Sequence, residues 1–168
     1  MRHRLLIWSL CLGLAAAPVW GAVTPNSPVT PQLANRGIVQ LLPATTAIVI
    51  PSGAATLTGG AQAYACDVDG TKVKAVYFGS NDTSAQTGVV VLLNTSKPYV
   101  IAAVTVPITA GQVAGTPAVN ALANVGLPLD SDGNPYFSCA SGDTIWVGTL
   151  AAVTAAKVVT VLVVAEDF

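Results

Sequence analysis

The sequence predicts an all-β fold: an antiparallel β-sandwich with one short helix and an extended N-terminal arm. Short β-branched runs recur about every 10–15 residues between glycine, proline, asparagine and aspartate, which is typical of a sandwich or barrel. Apolar residues make up 52% of the 168 residues and charged residues only 9%, against a usual ~25%, so a packed core is expected. The length suits a single domain, and no internal repeat divides it.

The first 22 residues are predicted to be a leader. A basic start, "MRHR", is followed by the apolar stretch "LLIWSLCLGLAAAPV" and by the small residues Gly21 and Ala22. This pattern is typical of a secretory signal peptide cleaved after residue 21 or 22, and the stretch is short for a membrane span. In a second interpretation Val23 is the true start, encoded by GTG, and residues 1–22 are an upstream extension.

Removal of this leader changes the charge balance. It takes away the single histidine and two arginines, which leaves five basic residues against eight acidic ones. Since no basic run exists beyond Arg2 and Arg4, nucleic-acid binding is not expected. We also expect no membrane partner for the mature chain.

Residues 23–35 form a predicted Pro-rich arm ahead of a single β-sandwich domain over 36–168. Prolines 25, 28 and 31 stand at every third position of "VTPNSPVTPQ". This spacing favours an extended segment with little internal hydrogen bonding. The arm is therefore interpreted as a linker or as a strap that reaches a neighbouring subunit.

Seven β-branched runs in the body are candidate strands. They cover residues 37–42, 46–50, 72–79, 88–94, 99–108, 144–150 and 157–166. The unbroken apolar run from Val89 to Leu93 indicates a strand that is buried on both faces or packed on one face against another subunit.

One short helix is predicted between the fifth and sixth of these strands. Thr116 is a suitable N-cap, Pro117 suits the first turn, "AVNALANV" follows, and Gly126 is placed to end the helix. The segment is too short to organise the fold.

Two cysteines, Cys66 and Cys139, remain in the body after removal of the leader. In an oxidising compartment they could form one disulfide that closes a long loop. The alternative is two small buried thiols, and the sequence slightly favours this second interpretation.

The sequence offers no recognisable catalytic or cofactor site. Without histidine in the body, Ser-His-Asp and Cys-His catalysis and the common zinc sites are excluded, and no phosphate- or dinucleotide-binding motif is present. The acidic residues lie beside turn-forming residues or at the chain end, and Asp69-Gly70 is interpreted as a hairpin turn. We therefore predict a non-enzymatic protein with no cofactor and no catalytic, cofactor-binding or metal residues.

A calcium site is the one metal hypothesis that the sequence raises. In "GLPLDSDGNPYFSC", Asp130, Asp132 and Asn134 match positions 1, 3 and 5 of an EF-hand loop. However, glycine falls at the fourth position and Ser141 stands where a bidentate glutamate belongs. A tight turn at Gly133, with at most weak calcium binding, is the preferred interpretation.

From residue 23 to the terminus the chain resembles a family of small structural proteins of tailed phages and prophages. The motifs that carry the resemblance are, in order, "TPNSPVTPQ", "DGTKVKAVYFGSNDTSA", "VTVPITAGQVAGTPAVNAL", "GLPLDSDGNPYFSCASGDTIWVGTL" and "VTAAKVVTVLVVAEDF". The resemblance implies a jelly-roll-like virion subunit, of head decoration type, that acts by self-assembly and contact with the capsid shell. The leader departs from the family pattern, because virion proteins are not secreted.

Two functions follow as hypotheses from this sequence. The first is a homo-oligomeric virion protein that decorates or stabilises a capsid. The second is a secreted bacterial β-sandwich of the cell surface, such as a fimbria-like subunit or adhesin, and it is motivated by the leader and the cysteine pair.

Overall fold

A computed structural model describes residues 33–45, 47–50, 57–94 and 97–168. Within them nine strands form two antiparallel sheets packed as a sandwich, which confirms the predicted antiparallel β-sandwich. The strands are β1 Leu33–Leu41, β2 Ala61–Ala65, β3 Thr71–Ser80, β4 Gln86–Asn94, β5 Lys97–Val106, β6 Val119–Asn120, β7 Phe137–Cys139, β8 Thr144–Thr149 and β9 Val159–Asp167. The predicted leader and the Pro-rich part of the arm lie outside the described residues.

The strand pairs are nested along the chain. β1 pairs with β9, β2 with β8, β3 with β7, and β4 with β5. β6 pairs with the other end of the same edge of β3. The five-stranded sheet has the order β1-β9-β3-β6, with β7 also on β3, and the four-stranded sheet has the order β2-β8-β4-β5. The chain thus behaves as one long antiparallel hairpin rolled into two layers.

The core between the sheets is formed by alternate residues of the strands. β9 buries Val159, Val161, Val163 and Ala165 completely and turns the residues between them outward. This alternation follows from the two-residue period of a β-strand. In β3 a bulge lies between Val73 and Ala75, so the residues after it change phase and Phe78 enters the core.

A second, smaller core covers the outer face of the four-stranded sheet. Ile48 and Leu57, from the segment before β2, pack on Val89 and Val91 of β4. Ile48 lies so close to β8 that a Cβ at Gly148 would come within 2.6 Å of its Cβ. The apolar run of β4 is therefore buried on both faces, as one of the two sequence interpretations required, and residues of the same chain provide the cover.

The predicted helix is wrong: no helix occurs in the described part of the chain. Val119 and Asn120 instead form β6 on the edge of β3, and the Asn120 Oδ1 accepts hydrogen bonds from the backbone N–H groups of Val76 and Leu122. Leu122 is fully buried. Hydrogen bonds and burial across the sheet edge outweigh the local capping signals, because a helix of this length has little stability of its own.

One strand prediction, one turn prediction and the omission of three strands also need correction. In segment 46–50 the structure describes residues 47–50, and these form an isolated bridge between Val49 and Thr58 in place of a strand. The turn at Asp69-Gly70 is present, with Gly70 at φ 100°, but it joins β2 and β3 of opposite sheets and is not a hairpin. The sequence prediction also omits β2, β6 and β7, which contain few β-branched residues or are only two or three residues long.

Candidate functional site

The aspartates that most resemble ligands form a turn. The Asp130 Oδ1 accepts hydrogen bonds from the backbone N–H groups of Asn134, at 2.8 Å, and Asp132, at 3.0 Å. Gly133 supplies the positive φ of 80° that this turn needs. The preferred interpretation of this stretch as a tight turn is confirmed.

The second oxygen of Asp130 faces two ammonium groups. Its Oδ2 lies 3.8 Å from the Nζ of Lys72 and 3.9 Å from the Nζ of Lys74. The backbone hydrogen bond from Asn134 holds the pKa of the carboxyl below its usual value, with smaller contributions from Asp132 and the two lysines. The negative charge of Asp130 is thus already balanced by the two lysines and the backbone donors, while Asp132 and Asn134 are exposed to solvent.

No group of three histidine, cysteine, aspartate or glutamate side chains comes together within the described ranges. Asp130 and Asp132 thus do not form such a group with a third side chain of these types in the described part of the chain. A cation at Asp130 would also have to displace the two lysines.

A buried carboxylate that the sequence did not indicate lies in the loop after β3. Asp82 is fully buried and accepts hydrogen bonds from the backbone and hydroxyl of Thr154, the backbone of Ser84 and the side chain of Gln86. Burial alone would raise the pKa of Asp82, but these hydrogen bonds outweigh it and hold the pKa well below the usual value. No sequence pattern marks this site, because Thr154 lies 72 residues away.

A second carboxylate cluster ties the end of β9 to three other strands. Asp167 accepts hydrogen bonds from the hydroxyl of Tyr64, the hydroxyl of Thr71 and the amide of Asn35. Burial opposes ionisation of Asp167, yet these donors lower its pKa, while burial and the adjacent carboxylate raise the pKa of Tyr64 to about 12. Near neutral pH Tyr64 therefore keeps its proton and Asp167 stays ionised.

Cys66 and Cys139 are joined by a disulfide, with Cα atoms 6.0 Å apart. The sequence slightly favours two free thiols, and that preference is wrong. The bond links the corner after β2 to β7, which is paired with the start of β3. Spacing alone could not reveal it, because only the nested strand pairing brings residues 73 positions apart together.

The outer face of the five-stranded sheet is concave in two places. Two open depressions, of about 320 and 300 Å³, lie side by side along β3 and β9, and Tyr77 lines both. Val164 and the Lys74 ammonium line the first depression, and Gly79 and Leu162 line the second. We name this surface the outer groove.

One end of the outer groove is charged and the remainder is neutral. The Lys74 Nζ lies 2.8 Å from the Glu166 Oε1, and this carboxylate raises the pKa of Lys74. Beyond this pair the lining is neutral and mixed: apolar residues such as Tyr77 and Leu162 lie among the polar residues Asn120, Asn134, Gln112 and Thr160. Such a lining suits an uncharged occupant with both apolar and hydrogen-bonding groups more than a small charged ligand.

Comparison with known proteins adds no relative: no family model, no curated protein and no solved structure matches this chain. Among the residues that the structure describes, no helix is long and apolar enough to cross a membrane. The class defined by the fold is an all-β, two-sheet sandwich, and its carboxylates Asp82 and Asp167 accept hydrogen bonds from donors of the same chain.

Proposed function

We propose that this chain is a non-enzymatic structural subunit of a tailed-phage or prophage particle, a jelly-roll sandwich that self-assembles and decorates or stabilises the capsid shell. The observation that carries the proposal is the nested strand pairing, in which the first strand pairs with the last and the second with the last but one. Jelly rolls wrap a long antiparallel hairpin in this way, and viral capsid domains use that architecture widely. The ordered motifs that resemble phage structural proteins support the same function.

The state of the acidic groups supports a non-enzymatic role. Asp82, Asp130 and Asp167 all have lowered pKa values and accept several hydrogen bonds. A general acid or base needs a pKa near the working pH and access to a substrate. These three carboxylates stay ionised at neutral pH and are occupied by donors of the same chain.

The exposed apolar side chains support a role in assembly. Ile38 on β1 is 68% exposed, and Tyr77 on β3 also reaches solvent, so apolar groups extend across the outer face of the five-stranded sheet. β5 forms an edge of the other sheet and exposes Tyr99 and Val100. Surfaces of this kind commonly meet other protein chains.

Mass spectrometry of purified particles tests the proposal. Particles from a strain that carries the coding sequence should contain this chain, beginning at or near Val23. Particles that contain the other structural proteins but lack this chain would overturn it. The isolated protein should also sediment as a closed oligomer, because decoration by self-assembly requires contacts between copies.

The alternative is a secreted bacterial surface protein, and one observation favours it. The Cys66–Cys139 disulfide is of a kind that persists mainly in oxidising compartments outside the cytoplasm. This alternative predicts cleavage after residue 21 or 22 and an oxidised pair in native material. N-terminal sequencing together with thiol titration decides, since an intact leader with two free thiols would exclude secretion.

A further inference from the structure

The outer groove has the dimensions of a short extended peptide. Its floor runs along β3 from Lys74 to Gly79, about five residues at roughly 3.3 Å each, or roughly 17 Å. Its rim includes Pro135 and Asn134 at one depression and Ala118 and Gln112 at the other. Tyr77 lies between the two depressions with 37% of its surface exposed.

The chain carries one segment whose chemistry matches this groove. Prolines 25, 28 and 31 stand three residues apart, and residues 23–32 contain no charged side chain. In a polyproline II helix, with three residues per turn, these prolines would share one face, and six residues would span roughly 19 Å. Grooves with exposed aromatic rings bind such segments by packing proline rings on the aromatic face.

The direction of β1 takes the arm away from the groove of its own subunit. Leu33 pairs with Asp167 and Leu41 with Val159, so β1 runs alongside β9 and its N-terminal end lies at the C-terminal end of β9. The groove extends the other way, from Glu166 toward Thr160. An arm that continues the direction of β1 therefore leaves its own groove behind and is free to reach the groove of a second copy.

We propose that the outer groove binds residues 23–32 of a second copy of this chain, with one of the three prolines packed on Tyr77 and Leu162, which are cross-strand partners. This inference rests on the proposed self-assembly and names the surfaces that form the contact. The rim side chains of Asn134 and Gln112 donate hydrogen bonds to the carbonyl groups of the extended arm, which have no partners within the arm itself. Each subunit gives one arm and accepts another, which is the arrangement of a ring or other closed oligomer.

Photocrosslinking tests the contact directly. The full-length protein with p-benzoylphenylalanine in place of Tyr77 is co-expressed with the wild-type protein. The photoreactive copy also carries Asn26→Gln, which changes the mass of its own arm. After irradiation, the peptides attached to position 77 are identified by mass spectrometry. The proposal predicts peptides that contain the unlabelled arm of the wild-type copy. Labelled arm alone, attachment to any other segment, or no attachment would overturn it.

Variants at the rim separate the contact from self-assembly in general. Ala118→Arg places a long charged side chain at the rim of the groove, at a position that is already exposed. The matched control is Ala151→Arg, which changes an exposed alanine after β8, outside the groove. We expect Ala118→Arg, or alanine at all three arm prolines, to weaken self-association by about tenfold or more, with the control unchanged. An oligomer that persists in both variants would overturn the arm contact and leave the proposed function standing. A wild-type protein that is monomeric at every concentration would overturn both.

Discussion

Loss of the disulfide should strongly destabilise the protein. The bond joins residues 73 positions apart, and on the chain-entropy relation a loop of that length stabilises the folded state by about 4 kcal/mol. For a domain of this size the change corresponds to a decrease in Tm of about 8–16 °C. Cys66→Ala with Cys139→Ala removes the bond, and reduction of the wild-type protein removes it without changing the sequence.

Guanidinium denaturation followed by tryptophan fluorescence measures this effect. The oxidised protein, the reduced protein and the double variant are compared at one pH and one protein concentration. The reduced protein and the double variant should agree within about 1 kcal/mol, because both thiol positions are small and buried. Equal stability of the oxidised and reduced proteins would refute the reasoning, since the cross-link would then not restrict the unfolded chain.

Three other substitutions test local features of the fold. Asp82→Asn should lower the free energy of unfolding by about 2–3 kcal/mol at pH 7, because it replaces a carboxylate that accepts several buried hydrogen bonds. Because the pKa of Asp82 is lowered in the folded state, its carboxylate stabilises the fold above about pH 4, and this stabilisation is lost as the pH falls further. Denaturation measured at several pH values should therefore show the stabilities of the wild-type protein and the variant converging in acid. A difference that stays constant with pH would contradict this. Gly148→Ala should lower the free energy of unfolding by about 1–3 kcal/mol, because the added Cβ would contact Ile48. The control Gly126→Ala should leave stability unchanged, because nothing lies within 4 Å of its added Cβ. Equal thermal midpoints for the two variants would disprove the contact. Asn120→Ala should speed hydrogen exchange at the Val76 amide, and a gain of helical circular dichroism instead would favour the helix that the sequence predicts.

Sequence periodicity is informative wherever a strand carries its own β-branched pattern. The long strands β3, β4, β5 and β9 are predicted to within about two residues at most ends, because alternating or continuous valine runs have few other stable arrangements. β2, with the sequence "AQAYA", has no such pattern and becomes a strand only because β8 pairs with it. The long strands therefore follow from local sequence, whereas the short ones depend on partners distant in the chain.

The candidate site shows the same division between local and distant information. The turn around Asp130 is predictable, because the hydrogen-bond donors on its Oδ1 lie within four residues. The environments of Asp82 and Asp167 are not, since their donors Thr154 and Tyr64 lie 72 and 103 residues away. From the sequence, a carboxylate beside turn residues is expected to be solvated. Only the three-dimensional pairing of distant strands encloses Asp82 and Asp167.

The disulfide, the Asp167 cluster and the origin of the arm lie on one row of the five-stranded sheet. Leu33 pairs with Asp167, Asp167 with Thr71, and Thr71 with Cys139. If an N-terminal arm holds a subunit to its neighbour, force on that contact acts on this row, because Leu33 joins the sheet there. Three side-chain donors on Asp167 and one covalent bond at Cys139 fix the same row to the rest of the fold. A row fixed by a disulfide and by side-chain hydrogen bonds is thus the part of the sandwich that an exchanged arm would pull on.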